Sequence, residues 1–147
     1  MLSITRTAGV ASLLLLGSPG LPADASPNTR SLSEDPERAT RLLASQVKVM
    51  QEAGLISTVK HFPGDGVDFR DQHLVTTVNS LSLPEWRRTC GRVFQGLIEA
   101  GVASVMVGHL TLPAYQKERL EGRLLPATLP ARSSPICSRA SWASRGW

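Results

Sequence analysis

Lys60 to His73 reads KHFPGDGVDFRDQH and gathers two His, one Lys, one Arg and three Asp into fourteen positions. A loop that only joins two elements has no need of that inventory. Two chemistries are open to it. In the first, Asp71 and His73 act as an orienter and an acid/base group. A carboxylate beside an imidazole fixes its tautomer and suits it to moving a proton near neutral pH. The two lie two positions apart, so an extended or turned backbone can bring them into contact. In the second, His61, Asp65, Asp68, Asp71 and His73 supply metal ligands. Mixed imidazole and carboxylate ligation is chemically sound, but no HExxH-type spacing on a helix supports it. The plainest alternative is a solvated acidic loop with no site.

The elements on either side must position these groups. Asp35 fits an N-cap and Pro36 the first helical position, with Glu37 complementing the helix N-terminus. Ala39, Leu42, Leu43, Val47 and Met50 recur at spacings of three and four, which gives one apolar stripe. Gly54 closes that helix. Leu55 to Val59 read as a short buried strand. The segment from His61 to Leu81 reads as a long loop, with turns at Pro63, Gly64 and Gly66. Ser82-Leu83-Pro84-Glu85 is a capping box. It opens a helix with Trp86, Cys90, Val93, Phe94, Leu97 and Ile98 on one face, ending at Gly101. Val102 to Val107 form a second apolar strand, and His109 follows it. The order helix, strand, loop, helix, strand, loop predicts α/β architecture. Strands apolar on both faces fit a parallel sheet covered by helices. Both helices end in EAG, at Glu52-Ala53-Gly54 and Glu99-Ala100-Gly101. That echo suits successive units of a barrel and a doubly wound sheet equally.

At 147 residues, with 41% hydrophobic and 19% charged residues, the chain suits one globular domain or part of one. A net charge of +4 without an aromatic-interleaved basic stripe excludes a nucleic-acid partner from the expectations. No apolar run approaches the roughly 18 residues of a membrane span. Cys90 falls on an apolar helix face and reads as a buried free thiol; two lone cysteines, Cys90 and Cys137, make no structural zinc site. Residues 1–26 read as a secretory signal peptide or a spurious leader: Arg6 is followed by an apolar run from Ala8 to Gly17 and by Ala23-Asp24-Ala25. A true leader implies secretion or the cell envelope; otherwise the expectation is cytoplasmic. Residues 131–147 carry five Ser, three Arg and two Trp without periodicity and read as a disordered or non-native tail.

KHFPGDG with a downstream Asp-x-His, then VMVGH, resembles glycoside hydrolase family 3, in its β-N-acetylhexosaminidase-like branch. The resemblance runs from about Asn28 to Leu129 and includes NTRSLSEDPER, VMVGHLTLPAY and LPATL. It implies a carbohydrate substrate, no cofactor and a (β/α)8 TIM barrel, of which about two to three βα units lie within residues 27–130. By resemblance Asp71 and His73 are the acid/base dyad, with His73 protonating the leaving-group oxygen and later activating water. Arg30, Lys60 and His61 contact the sugar, and His109 lines the pocket floor. The sequence departs from the family's commoner GHG at Asp65.

The family cleaves with retention, which needs a second carboxylate as nucleophile. No Asp follows Asp71. The resemblance therefore implies a truncated or frameshifted fragment, expected to be inactive. A non-catalytic carbohydrate-binding remnant is the alternative, and a metal-dependent hydrolase a more distant one.

Overall fold

The computed structural model describes residues 10–14, 33, 35–116 and 119–129. Strand β1 (Val10–Leu14) precedes helix α1 (Pro36–Glu52) and strand β2 (Ile56–Phe62). Then come β3 (Thr77–Val78), α2 (Leu83–Arg88), α3 (Cys90–Glu99), β4 (Ser104–Val107), β5 (Leu110–Thr111), β6 (Arg119–Leu120) and β7 (Arg123–Leu124). β1, β2 and β4 form a parallel sheet in the order β1-β2-β4, and β3 pairs in parallel with β5. Parallel strands joined through helices are the α/β arrangement expected from the sequence. β6 and β7 form a hairpin turned by Glu121 (φ 49°) and Gly122 (φ 78°), the positive values a tight two-residue hairpin turn requires.

The caps stand where the residues predict. Asp35 accepts Glu37 N–H at the start of α1, and Gly54 (φ 83°) follows its end. At α2 the Ser82 side chain accepts Glu85 N–H while the Glu85 carboxylate accepts Ser82 N–H, a complete capping box. Hydrogen bonds from the Ser82 side chain and backbone also hold the Glu85 carboxyl below its usual range. Ala39, Leu43 and Val47 of α1 bury against Cys90, Val93, Phe94 and Leu97 of α3, with Val59 and Phe62 of β2 and Trp86 completing the core. Phe62 meets Trp86 and Phe94 edge-on, at centroid distances of 6.0 and 5.2 Å. The helices approach so closely that a Cβ on Gly96 would sit 2.3 Å from Thr40 Cγ2.

Five features differ from the sequence reading. First, β2 is longer than Leu55 to Val59: it carries Lys60 and His61 within the strand and ends at Phe62. Its register against β4 shifts between Lys60 and Phe62. Strict alternation would turn Val59 and Phe62 to opposite faces, yet both lie in the helix-side core. The Lys60–His61 and Phe62–Pro63 peptides are cis. Second, the long loop contains β3. Third, the single amphipathic helix is broken at Thr89, whose φ and ψ are −113° and −100°. The Trp86 ring lies over the start of α3, where a Cβ on Gly91 would come within 2.8 Å of it. Fourth, β4 is not covered on both faces: Ser104, Val105 and Met106 are exposed at the sheet's margin. Fifth, Leu42 and Ile98, expected in the apolar stripes, are exposed.

Val10–Leu14 belong to the apolar run read as a leader, and stand here as β1 beside β2. The rest of residues 1–26, and the tail at 131–147, lie outside the described residues. No helix among the described residues is long and apolar enough to cross a membrane.

Candidate active site

The carboxyl ends of β2 and β4 and the loop after β2 bring the chemistry together, the edge at which parallel α/β sheets place their sites. His61 stands one residue before the end of β2, in a buried position. Its Nδ1 lies 2.6 Å from Asp65 Oδ2, and Gln72 Nε2 lies 2.5 Å from the same oxygen. Both nitrogens therefore donate to one carboxylate oxygen, and their own 2.8 Å approach follows from sharing it. That arrangement fixes His61 with hydrogen on Nδ1 and leaves Nε2 as its free ring nitrogen.

Asp71 and His73 meet as the spacing predicts. Asp71 Oδ1 accepts His73 N–H at 2.9 Å and lies 2.7 Å from His73 Nδ1. The side chains are 50% and 61% exposed, so this pair stands open to a ligand. Leu74 N–H and Val75 N–H both bond Asp71 O, which makes the segment a turn. The His73 ring packs edge-on to His61 with centroids 5.9 Å apart. Two imidazoles, each oriented by its own carboxylate, thus face one corner of the sheet.

Lys60 is half-buried in β2, in register with Leu14 and Met106. His109 follows β4, but its Nδ1 lies 2.9 Å from Thr128 Oγ1, so the ring is held by the LPATL segment. Its backbone N–H donates to Gln72 Oε1 at 3.1 Å. Arg30 lies outside the described residues.

Asp68 does not join the cluster. Its carboxylate accepts Arg70 Nη2 at 2.6 Å and Val78 N–H at 2.9 Å. The Arg70 side chain is the main cause that draws its pKa from 3.8 down to about 2, and partial burial opposes it. Among the described residues no three His, Cys, Asp or Glu side chains converge as a ligand set.

The sequence reading missed the residues that hold the loop's base. Trp86 Nε1 donates to Pro63 O at 2.6 Å, and Asn79 Nδ2 donates to Gly64 O at 3.0 Å. Gly64 (φ 124°) lies against Cys90, where a Cβ would come 2.6 Å from Sγ. Cys90 is a buried free thiol, as its place on the apolar face predicts, and burial pushes its pKa up to about 11. It packs and does not react. Gln72 was missed as well, although its place between two outward-facing residues on a turn is the signal that it points inward.

Residues 21–137 match the Glycosyl hydrolase family 3 N terminal domain. The chain belongs to glycosyl hydrolase family 3. It is 48% identical over 90 residues to a beta-N-acetylglucosaminidase/beta-glucosidase of Cellulomonas fimi, covering 61% of this chain and 16% of that protein. It is 36% identical over 89 residues to a beta-hexosaminidase of Stenotrophomonas maltophilia, covering 60% of this chain and 27% of that one. The chain thus spans about a sixth of the first of these curated relatives and about a quarter of the second. Among solved structures it resembles beta-glucoside phosphorylase BglX, with a TM-score of 0.74 and 34% identity over 82% of this chain and 22% of that chain. It also resembles a family 3 beta-N-acetylglucosaminidase from Paenibacillus sp. str. FPU-7, with a TM-score of 0.66, 32% identity and coverage of 82% and 22%. These family 3 likenesses agree with the KHFPG, Asp-x-His and VGH motifs and with a parallel α/β segment.

Proposed function

We propose that this chain carries the acid/base part of a family 3 glycosidase site acting on β-linked N-acetylhexosaminides or β-glucosides, built on two to three βα units of a (β/α)8 barrel. The observation that carries the reading is the Asp71–His73 contact of 2.7 Å, exposed beside His61. With Nδ1–H directed at Asp71, His73 works through Nε2. As imidazolium it gives its Nε2 proton to the departing glycosidic oxygen. As neutral imidazole it then takes a proton from the attacking water. Lys60 and His61, at the strand end, hold sugar hydroxyls by charge-assisted and neutral hydrogen bonds. Arg30 and His109 complete the sugar contacts.

A retaining reaction also needs a carboxylate nucleophile, and no Asp follows Asp71 in these 147 residues. The expected outcome is therefore binding without turnover. In an NMR titration of the full chain with N-acetylglucosamine and with glucose, the His61 and His73 ring signals should shift saturably with one of them. No shift with either overturns the proposal. Cleavage of a chromogenic N-acetylglucosaminide by the purified chain would overturn the expected inactivity alone.

Phosphorolysis is a second reading, favoured by the likeness to beta-glucoside phosphorylase BglX. The same His73 would serve, with phosphate attacking in place of water. Because the chain is expected to bind without turnover, the readout is binding: a further His73 ring shift when phosphate is added to the sugar-bound chain would favour phosphorolysis over hydrolysis.

A further inference from the structure

Gln72 lies between the two members of the proton-transfer pair and faces the other way. It is 8% exposed and is the one buried residue between Val67 and Thr76. Its carboxamide is used at both ends. Nε2 donates to Asp65 Oδ2, and Oε1 accepts His109 N–H at 3.1 Å. Asp65 is at the same time the partner of His61 at the end of β2, while His109 follows the end of β4. One side chain therefore ties the loop to the carboxyl ends of two neighbouring strands. The space it occupies is tight: a Cβ on Gly108 would meet Gln72 Oε1 at 2.5 Å and His61 Cβ at 2.7 Å.

A buried amide with donor and acceptor both paired has one favourable setting, because any other leaves a polar group unsatisfied away from water. The backbone on either side must follow it. We propose that Gln72 is a positioning residue: clamped between Asp65 and the His109 backbone, it sets the Asp71–His73 pair beside His61 so that a sugar held at the strand ends meets the proton donor in register. Gln72 touches no substrate in this scheme. The role given to His73 rests on the glycosidase reading; the clamp does not.

The test is NMR of the full chain without sugar. In the wild type, His61 and His73 ring protons should show a mutual NOE, and the His109 amide and Gln72 carboxamide protons should be protected from exchange. Gln72→Met keeps the length and removes both hydrogen bonds. It should lose the ring-to-ring NOE and raise His109 amide exchange about tenfold, while core amides of Val93 and Leu97 exchange as before. An unchanged NOE and unchanged His109 exchange in Gln72→Met overturn the proposal. Should Gln72→Met not fold, the wild type decides alone: carboxamide protons exchanging as fast as those of free glutamine, or no NOE between the rings, overturn it. A chain that passes these tests yet binds no sugar overturns the glycosidase reading and leaves the clamp standing.

Discussion

Asp68 and Asp71 share one loop and do different work. Asp71 and its partner His73 are half or more exposed, so their contact stabilises the fold by no more than about 1 kcal/mol; its value is orientation. Asp68 is a closure. It fastens Arg70 and the Val78 amide, and its folded pKa of about 2 lies below its ordinary 3.8. A depressed carboxylate stabilises the fold above its unfolded value and loses that contribution as pH falls through the folded one. The window here runs from 3.8 down to about 2. Melting temperatures at pH 5 and pH 2 should therefore fall further for the wild type than for Asp68→Asn, which has no carboxylate to protonate. Equal falls would show that the closure adds nothing. Cys90 has the opposite sign: its pKa is raised from 9.0 to about 11, so its contribution is present below 9.0 and is lost as pH rises through that interval.

At the scale of elements, what a local pattern can specify was legible and what a distant contact decides was not. The cap at Asp35, the capping box at Ser82, the α3 core face and the parallel pairing of the two main strands all follow from spacing and residue type. The break at Thr89 does not, because it accompanies the Trp86 ring settling over Gly91 and its Nε1 reaching Pro63 O, 23 positions earlier in the chain. The shift in β2 that puts Val59 and Phe62 on one face depends on pairing with β4. The Asp71–His73 contact was legible as Asp-x-His, whereas Asp65 and Gln72 gain their contacts only once β2 and β4 lie side by side. Glycines divide along the same line. Gly54 (φ 83°) has open space around it and is needed for its conformation. Gly108 is needed for room, since a methyl there would strike Gln72, Leu110 and His61. Gly108→Ala should accordingly cost about 1–3 kcal/mol by overpacking, read as a lower urea midpoint, and should shift the His61 ring signals. A variant with unchanged midpoint and spectra would mean that the strand ends are looser than these distances.

The whole molecule turns on a sheet whose first strand comes from a segment that also reads as a leader. Arg6 and the apolar run from Ala8 to Gly17 fit export; Val10–Leu14, in register from Val10 opposite Ile56 to Leu14 opposite Lys60, fit a sheet. The two uses make opposite demands, because a leader cut away after export cannot hold β2. The strand matters to the site, since β2 carries Lys60 and His61 and is flanked by β1 on one side and β4 on the other. Without β1, the β2 backbone loses one ladder, and its groups on that side must turn to water or to another chain. At about 1 kcal/mol net per hydrogen bond, a ladder of this length contributes roughly 2–4 kcal/mol. Removing residues 1–26 should thus lower the melting temperature by about 10 °C and speed exchange of the β2 amides, with the α1 and α3 amides affected less. A shortened chain as stable as the full one, with β2 equally protected, would assign those residues to export and leave β2 to find its second neighbour elsewhere.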